Sequence, residues 1–527
     1  MSFNNLPLAP NRDGIRKYRT VVFRGYDHNI GAQDGTIWDE ANMTGDFYPV
    51  MGVRAPRFTT ASAAAPNGIF SYDGLFWADG TSLKHNGITV GTVTDSPKQF
   101  AAMGDRIIIL PDKLIYDCSE GTLTSMESSV SVSAAFRDGT YAGEEAEGNT
   151  VYAAGIDWAD YFKVGDAVTI SGSSEADNNK TAIIREIDGN EMRFYEHSFT
   201  NHAAQSISFA RTVPDLDYIC VNENRAWGCA GDTIYASKLG DPTNWNVFDG
   251  VATDSFAVDA GSDGVFTACC SFLGYPIFFK EDHIYKVYGS KPANFQVMGS
   301  ASLGVLEGSS KSLAIAGEVL FYLSRVGIVA YSGGVPENIS QPLGLVKYTA
   351  AVGGSDGRKY YASMRASGTW NIFVYDTETG LWHKEDATQA AGWAYSNGNL
   401  YCLTADGLII TVNRQDSAIP GAAMEENIPS YVEFGDFVED DPNRKGTSKL
   451  QLRGEIDAGA ALVVKIRFDS SGDWLTVATL TSTVKRSWYL PIVPRRSDHF
   501  RIRLEGVGGW RLYSLVRESY SGSELRA

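Results

Sequence analysis

A motif of three short strands recurs along the chain, and it restricts the fold more than any other feature of the sequence. Each copy has an apolar strand, a turn of Gly, Asn or Asp, a second apolar strand, a short turn and a third strand that often ends in Tyr. Because a single sheet of this kind cannot bury both of its faces, we expect the copies to pack against one another. The copies begin at Asn67, Lys98, Asp217, Phe266, Ser312, Arg358 and Ala391.

The spacing between the third strands predicts a β-propeller. From Asp232, the next four third strands begin at successive intervals of 50, 45, 44 and 35 residues. A four-stranded propeller blade takes roughly 40–50 residues. The aromatic fraction of 12% and the 54 glycines agree with many short strands joined by tight turns. We therefore predict an all-β chain whose body is a six- or seven-bladed β-propeller in two parts, residues 61–127 and 213–418.

An insertion separates the two parts of the predicted propeller. The third strands at Asp112 and Asp232 begin 120 residues apart, which is too far for one blade. Apolar and polar residues alternate through the intervening strands, and Asp188-Gly189-Asn190 has the composition of a hairpin turn. This predicts a small SH3-like β-barrel over residues 128–212. The segment is not visibly basic, so a spacer or protein-contact role is favoured over nucleic-acid binding.

The two ends of the chain predict further parts, since 527 residues exceed what one hydrophobic core organises. Residues 1–60 lack a strong period and predict an N-terminal arm that packs on another surface. Residues 419–430 are rich in Ala, Pro and Glu and read as a linker. Residues 431–527 hold about seven alternating strands separated by Gly, Asp, Ser and Pro, which predicts a β-sandwich.

The charge of the chain argues against general affinity for nucleic acid. The formal net charge is −18, and residues 61–427 alone hold 23 Lys and Arg against 44 Asp and Glu. Binding to phosphate backbones requires clustered basic side chains. Two interpretations of the acidity stay open: it keeps a large protein soluble, or it forms a wall along which DNA slides without sticking.

The sequence contains no recognisable metal-binding motif. HExxH and CxxC are missing, and no two histidines are spaced i, i+4. We therefore predict no catalytic residues, no metal site, no cofactor and no enzyme activity. The six cysteines are predicted to be buried free thiols. No run of about 18 consecutive apolar residues is present, so no membrane insertion is predicted.

Two segments of the chain carry distinctive motifs. The first is Ala236-Ser-Lys-Leu-Gly-Asp-Pro-Thr-Asn-Trp245, whose Asp241-Pro242 turn plants Trp245 on a blade face. The second runs from Asp34 through Asp46-Phe-Tyr48-Pro to Arg54-Ala-Pro-Arg57. Both resemble stretches of bacteriophage virion proteins with propeller folds, including packaged-DNA stabilisation proteins and tail-nozzle proteins. The candidate assembly residues are Tyr48, Arg54, Arg57, Asp241 and Trp245.

The resemblance implies a virion protein, made in the host cytoplasm, that forms a homo-oligomeric ring, commonly a hexamer. Such a ring is a tail nozzle or head–tail completion protein, contacts other tail or connector proteins, and lets genomic DNA pass without specific binding. An alternative is a receptor- or glycan-binding tail-tip protein. In that reading Trp474, Trp488 and Trp510 of the sandwich stack on sugar rings, although a core role is favoured for them. A third hypothesis is a propeller glycosidase or depolymerase.

Overall fold

The structure is a computed structural model that describes residues 15–29, 33–141, 144–195, 199–413, 419–439, 444–469, 472–493 and 495–521. The all-β prediction is confirmed: strands dominate, and the helices of these ranges are 3-10 turns of three residues. No helix within them has the length and apolar character required to cross a bilayer. The chain forms two compact units, unit 1 (residues 1–75 and 311–527) and unit 2 (residues 76–310). The 3-10 turns are Trp158–Asp160, Ala176–Asn178, Pro292–Asn294, Ser310–Ser312 and Gln341–Leu343.

The strands of the N-terminal part of unit 1 are short. They are β1 (Ile15–Thr20), β2 (Ile37–Ala41), β3 (Met43–Thr44), β4 (Met51–Val53), β5 (Phe58–Ser62), β6 (Pro66–Ser71) and β7 (Leu75–Asp79), the last of which crosses into unit 2.

Unit 2 continues with strands of 4 to 14 residues. They are β8 (Ser82–His85), β9 (Ile88–Thr92), β10 (Gln99–Met103), β11 (Arg106–Leu110), β12 (Leu114–Asp117), β13 (Thr122–Ser125), β14 (Ser128–Tyr141), β15 (Glu144–Tyr152), β16 (Ala167–Ser171), β17 (Thr181–Asp188), β18 (Glu191–Phe194), β19 (His202–Arg211), β20 (Tyr218–Asn222), β21 (Arg225–Ala230), β22 (Thr233–Ala236), β23 (Phe256–Asp259), β24 (Ala268–Phe272), β25 (Tyr275–Phe279), β26 (His283–Tyr288) and β27 (Gln296–Ala301).

The C-terminal part of unit 1 completes the described chain. Its strands are β28 (Ala314–Ala316), β29 (Val319–Ser324), β30 (Gly327–Tyr331), β31 (Glu337–Asn338), β32 (Ala350–Ser355), β33 (Lys359–Ala366), β34 (Thr369–Asp376), β35 (Leu381–Lys384), β36 (Ala390–Ser396), β37 (Asn399–Thr404), β38 (Leu408–Thr411), β39 (Ala423–Met424), β40 (Pro429–Phe434), β41 (Lys445–Ile456), β42 (Ala461–Phe468), β43 (Leu475–Leu480), β44 (Arg486–Pro491), β45 (Arg496–Ser497), β46 (Phe500–Val507) and β47 (Trp510–Ser521).

Unit 2 contains three four-stranded antiparallel sheets whose strands pair in chain order, namely β10–β13, β20–β23 and β24–β27. Tight turns make this order possible. Glu223 and Asn224, between β20 and β21, both have positive φ, as the two central residues of a type I′ hairpin require. Strand β21 is buried on both faces: Ala226 packs with residues of β10–β12, whereas Trp227 and Cys229 pack with residues of β24–β26. Neighbouring sheets of this unit therefore stack face to face.

A closed six-stranded barrel interrupts the sheets of unit 2. It runs from Ser128 to Arg211 in the order β14-β15-β18-β17-β16-β19. Its core is aromatic, with Phe136, Trp158, Phe194 and Phe209 fully buried. The SH3-like class of this barrel stays a prediction.

Unit 1 contains three further sheets of the same kind, β28–β31, β32–β35 and β36–β38. The last of them is completed by β5, which pairs antiparallel with β38 although about 350 residues separate the two strands in sequence. An early strand of the chain thus joins the last sheet. A seventh run of four strands, β6 to β9, contains the division between the two units.

Strands β40–β47, together with β1–β4, form a two-layer sandwich in unit 1. One sheet has the order β3-β4-β47-β41-β44, with β1 on β47 and β45 on β41; the other has the order β2-β40-β46-β42-β43. One hydrophobic core lies between the sheets and includes Phe434, Leu452, Phe500 and Leu515.

Residues 15–62 are not the separate arm that the sequence predicts. They supply β1–β4 to the sandwich and β5 to the last sheet. The prediction failed because these strands have two to six residues and, apart from the β3–β4 pair, join partners remote in sequence, so they leave no local period. The predicted linker is likewise structured in part, since β39 pairs with β5 and β40 starts the sandwich at Pro429.

Candidate functional site

Arg54 and Arg57 lie between β4 and β5, and both are buried, with 5% and 6% of their surface exposed. Arg54 forms a bidentate ion pair with Glu425, in which Nη1 donates to Oε2 at 2.7 Å and Nη2 donates to Oε1 at 2.9 Å. Arg57 donates from Nη2 to Glu385 Oε2 at 2.6 Å and from Nη1 to Asp386 Oδ2 at 2.7 Å. Three separated stretches of sequence meet in these five residues, which we call the arginine cluster.

The arginine cluster holds its charges in place by mutual pairing. Burial alone disfavours a charged guanidinium, but Glu385 and Asp386 outweigh it and raise the pKa of Arg57 above its ordinary value. Burial likewise opposes ionisation of Asp386 and Glu425, and the two arginines nevertheless lower the pKa of both carboxyl groups. Arg57, Asp386 and Glu425 are therefore charged at neutral pH. Removing one partner of such a buried set leaves an uncompensated charge, which is strongly destabilising.

The arginine cluster borders a cleft of about 490 Å³ in unit 1. Its polar lining includes Arg57, Asp386, Thr388, Asp406 and Glu425. The guanidinium of Arg57 is committed to Glu385 and Asp386, so the cleft does not offer it to an incoming anion.

A hydrogen-bonding contact and an ion pair also fix the same N-terminal stretch. His383 Nδ1 lies 3.1 Å from Glu40 Oε1, and Glu40 is fully buried. Lys359 pairs with Asp46 and, against the effect of burial, lowers the pKa of that carboxyl group. With the arginine cluster, these contacts anchor residues 40–57 to the segment that runs from β33 to just beyond β35.

Tyr48, the third N-terminal candidate, takes no part in this network of ion pairs. It is 46% exposed and lies in a turn, where its backbone N–H donates to Gly45 O at 2.9 Å. Of the three candidates in this stretch, Tyr48 alone presents its side chain to solvent. Its predicted role in assembly stays a prediction.

Asp241 and Trp245 form a closed turn in unit 2. Asp241 Oδ1 accepts hydrogen bonds from the backbone N–H of Thr243 at 3.1 Å and from its hydroxyl at 2.7 Å. Trp245 Nε1 donates to Pro242 O at 2.7 Å, and its ring is 1% exposed in the core shared by β10–β12 and β20–β21. Trp245 is thus a core residue of unit 2 and offers no surface to another molecule.

The same turn also anchors the inserted barrel. Asn244 donates to Asp241 Oδ2 at 2.6 Å and to Asp166 Oδ1 at 2.9 Å, where Asp166 precedes β16 of the barrel. Lys163 of the barrel lies 2.8 Å from Asp241 Oδ2. Burial opposes ionisation of Asp241, but hydrogen bonds from Lys163 and Thr243 lower its pKa to about 2. We call Asp166, Lys163, Asp241, Asn244 and Trp245 the barrel anchor.

The three tryptophans of the sandwich differ in their surroundings. Trp510 is 2% exposed, lies in the core and donates from Nε1 to Ser430 Oγ at 2.9 Å. It cannot stack on a sugar, which corrects the glycan-binding interpretation at this position. Trp488 is partly buried against the core, and Trp474 is half-buried with the guanidinium of Arg467 4.7 Å from its ring centre.

A second cleft of unit 1, of about 670 Å³, was not foreseen from the sequence. Arg517, one of its lining residues, is buried and donates to Glu439 at 2.6 Å and to Asp34 at 3.0 Å. Burial raises the pKa of Glu439 despite this arginine, and Glu439 has a φ of +55°, which side chains rarely adopt. No local motif predicts this cleft, because its walls come from residues 18–29, 33–38, 435–439, 501 and 517.

Asp469, Asp498 and His499 bring possible metal-ligand atoms within 4.8 Å of one another, and within the described ranges this is the one such group of three. His499 Nδ1 lies 2.5 Å from Asp498 Oδ1, and Asp469 accepts a hydrogen bond from the backbone N–H of Asp498 at 3.2 Å. These groups already pair with one another. The arrangement is explained by local hydrogen bonding near the start of β46.

Comparisons with known proteins identify no family. No family model matches the chain, and no curated protein matches it. Among solved structures it is similar to BamB from Moraxella catarrhalis, with 15% identity, 55% of this chain and 99% of that chain covered, and a TM-score of 0.22.

Two other solved structures show the same level of similarity. Hsv2 from Kluyvelomyces marxianus has 10% identity, covers 52% of this chain and 94% of its own, and has a TM-score of 0.27. An exo-β-1,3-galactanase from Phanerochaete chrysosporium has 11% identity, covers 56% and 92%, and has a TM-score of 0.21. Likenesses at this level assign neither a function nor a substrate to the chain.

Proposed function

We propose that this chain is a structural, non-enzymatic component of a bacteriophage tail, a ring-forming nozzle or head–tail completion protein. The observation that carries the proposal concerns the two segments that resemble phage virion proteins. Arg54 and Arg57 of one segment and Trp245 of the other are buried, and all three, with the partly buried Asp241, make contacts within their own unit. The resemblance therefore rests on residues that build the scaffold.

The order of the strands supports a seven-bladed propeller within this proposal. Six sheets and the run β6–β9 repeat the same sequential pattern, and β5 pairs with β38 of the last sheet. A chain whose early strand completes its last sheet returns to where it started, which is the connection that a closed circle of blades requires. A propeller of this kind leaves little exposed sheet edge and makes a rigid subunit.

The acidity of residues 61–427 supports a position beside DNA in transit. With 44 acidic against 23 basic residues, this part of the chain repels phosphate backbones. In a ring, such walls keep the genome mobile, because attraction to the phosphates would stall it. The inserted barrel and the sandwich then serve as contacts to neighbouring copies and to other tail or connector proteins.

The experiment that tests the proposal has two readouts. Purified virions are analysed by mass spectrometry and labelled with gold-conjugated antibody against the chain, and the recombinant protein is weighed by native mass spectrometry. We expect the label on the tail or at its junction with the head, and a closed oligomer such as a hexamer. A chain missing from particles and monomeric at micromolar concentration would overturn the proposal.

The receptor- or glycan-binding alternative now depends on two tryptophans, Trp474 and Trp488. A glycan array with the full chain and its Trp474→Ala, Trp488→Ala double variant distinguishes it. Binding that the double variant loses would favour the alternative, and no binding by either protein would leave the structural role.

A further inference from the structure

Most of the acidic charge of the chain lies in unit 2. Residues 76–310 hold 15 Lys and Arg against 32 Asp and Glu, a net charge of −17, so the remainder of the chain contributes −1 to the total of −18. Unit 1 is therefore almost neutral as a whole. A cluster of unpaired basic side chains on its surface is a local departure from the charge of the chain.

One sheet of the sandwich carries such a cluster on the face that points away from the hydrophobic core. Leu450 and Leu452 of β41 belong to the core. Side chains alternate between the two faces of a strand, so Lys449 and Arg453 lie on the opposite face. The exposure of β41 follows the same alternation, and Arg453 is exposed.

Strand pairing extends this face across the sheet. Directly paired residues of antiparallel strands lie on the same face. Lys449 is paired with Glu518 of β47, and Glu518 is paired in turn with Lys17 of β1. Further along the same strands, Glu455 is paired with Arg511. The face therefore spans at least three neighbouring strands.

Two aromatic rings hold basic side chains on the same face. Lys485 Nζ lies 3.5 Å from the centre of the Tyr513 ring, and the Tyr513 hydroxyl donates to Glu455 Oε1 at 3.0 Å. Lys449 Nζ lies 5.4 Å from the centre of the Tyr489 ring, which is 61% exposed. We call the cations of this surface the basic face. They are Lys17, Lys449, Arg453, Lys485 and Arg511.

Two cations of the basic face are paired with carboxylates and three are not. Arg511 Nη1 lies 3.1 Å from Glu455 Oε1, and Lys17 Nζ lies 3.8 Å from Glu518 Oε2. The three that form no ion pair within the part of the chain that the structure describes are Lys449, Arg453 and Lys485. Uncompensated positive charges beside an exposed tyrosine suit a partner surface that is acidic and offers apolar contact.

We propose that the basic face is the surface on which a second copy of this chain docks, through acidic side chains of its residues 76–310. The inference rests on the proposed ring and names the contact between its copies. Opposite charges on two surfaces raise the rate of encounter and fix the orientation of the partners. Because the basic face and the acidic surface are different parts of the chain, the contact is heterologous. A heterologous contact closes into a ring when its rotation divides the circle.

Nucleic acid is the competing acidic partner, since phosphates also pair with Lys and Arg. The charge of the chain favours a second copy. With a net charge of −18, the chain repels phosphate backbones as a whole. Each copy carries both the basic face and the acidic residues 76–310, so the two surfaces are always present at equal concentration.

The test follows assembly of the full-length protein by sedimentation velocity at low and high salt, with the double variant Arg453→Glu, Lys485→Glu. Both residues are exposed, so the variant should keep its fold, which circular dichroism verifies. We expect the unaltered oligomer to weaken as salt rises. The double variant should raise its dissociation constant at least about 100-fold, because like charges then face each other. The control is Arg325→Glu, Lys347→Glu, which makes the same charge change at exposed cations outside the basic face and should assemble like the unaltered protein.

Carbodiimide cross-linking of an equal mixture of isotope-labelled and unlabelled protein identifies the contact without any variant. Links between copies that join Lys449 or Lys485 to acidic residues within 76–310 would support the proposal. Links between copies that avoid the basic face would overturn it.

The outcomes separate this contact from the ring itself. A ring that both double variants form equally well would overturn the contact and leave the ring, whereas an unaltered protein that stays monomeric would contradict both. A fluorescein-labelled DNA duplex is the probe for nucleic acid. If it binds the unaltered protein but not Arg453→Glu, Lys485→Glu, and assembly is unchanged, the basic face binds nucleic acid and the proposal is wrong.

Discussion

The arginine cluster of unit 1 and the barrel anchor of unit 2 each hold one part of the chain against a part that is distant in sequence. They do so with different kinds of interaction. The arginine cluster does so with ion pairs in which Arg54, Arg57 and Glu385 are buried, whereas the side chains of Asp386 and Glu425 are 26% and 32% exposed. The barrel anchor relies on a buried indole, on hydrogen bonds, on a partly exposed ion pair between Lys163 and Asp241, and on the ion pair of the buried Asp166 with Arg211.

The difference predicts how strongly a single substitution destabilises each unit. A buried set of charges is destroyed by the loss of one member, because its partners cannot be solvated. An anchor built from packing and many hydrogen bonds loses stability in smaller steps. Unit 1 should therefore respond to single substitutions more severely than unit 2 does.

The largest effect is expected for Arg57→Ala, which leaves Glu385 and Asp386 without their main cation. We expect unit 1 to lose about 3–5 kcal/mol of stability, as when one partner of a buried ion pair is removed. Hydrogen exchange with mass spectrometry, resolved along the chain, measures the loss in each unit. The control is Lys17→Ala, since the Lys17 side chain is 69% exposed and 3.8 Å from Glu518, and its loss should cost under about 1 kcal/mol. Equal effects of the two substitutions would contradict the comparison.

A smaller effect is expected from acid acting on Asp241. Its folded-state pKa of about 2 lies below the ordinary value of 3.8, so its contribution is present at neutral pH and is lost as the pH falls from about 4 through 2. A shift of this size corresponds to about 2 kcal/mol. Hydrogen exchange of residues 160–170 at pH 5, 4 and 3 should show the loss in the unaltered protein. In Asp241→Asn this part of the pH dependence should disappear. If the substitution leaves the acid dependence of hydrogen exchange unchanged, the pH dependence does not come from Asp241.

Trp245→Phe should cost about 1–2 kcal/mol in unit 2, because it removes the indole hydrogen bond to Pro242 O and leaves a modest gap in the core. Urea unfolding monitored by circular dichroism gives the change. Trp474→Phe, at a half-buried position of the sandwich, is the control and should change stability by less than about 0.5 kcal/mol. A loss of unfolding free energy above about 4 kcal/mol for Trp245→Phe would mean that the barrel anchor is as sensitive to a single substitution as the arginine cluster.

The smallest effect on folding is expected for Tyr48→Ser, because Tyr48 is 46% exposed and lies outside both anchors. Its unfolding free energy should change by less than about 0.5 kcal/mol. Native mass spectrometry then asks whether the oligomer weakens. Weaker assembly with unchanged stability would assign Tyr48 to a contact between copies, whereas unchanged assembly would remove it from the candidates.

The strands could be predicted from the sequence because their signal is local. The third strands at Asp112, Asp232 and Asp282 begin within two residues of β12, β22 and β26, since alternation and turn residues lie next to one another in the chain. The segment from Ser128 to Arg211 was visible for the same reason. The short strands β1, β2 and β4 were not, because each pairs with a strand more than 350 residues away and gives no local pattern.

The candidate residues could be selected from the sequence, but their roles could not. Asp241 and Trp245 follow a turn motif that is readable in one dimension, and the structure shows that this turn closes on Trp245. The carboxylates that surround Arg54 and Arg57 come from residues 385, 386 and 425, which no spacing rule connects to them. The sequence predicts these residues as contacts to other molecules, whereas in the structure Arg54, Arg57 and Trp245 are buried and contact residues of their own unit.

The central claim, that this chain is a ring-forming scaffold with a propeller in each copy, is tested most directly by an electron cryomicroscopy map of the purified oligomer. The account predicts several copies around one axis, seven four-stranded sheets closed in a circle within each copy, and acidic side chains of residues 61–427 facing a central channel. A monomer whose sheets form an open ribbon, or a ring whose channel is lined by basic side chains, would contradict it.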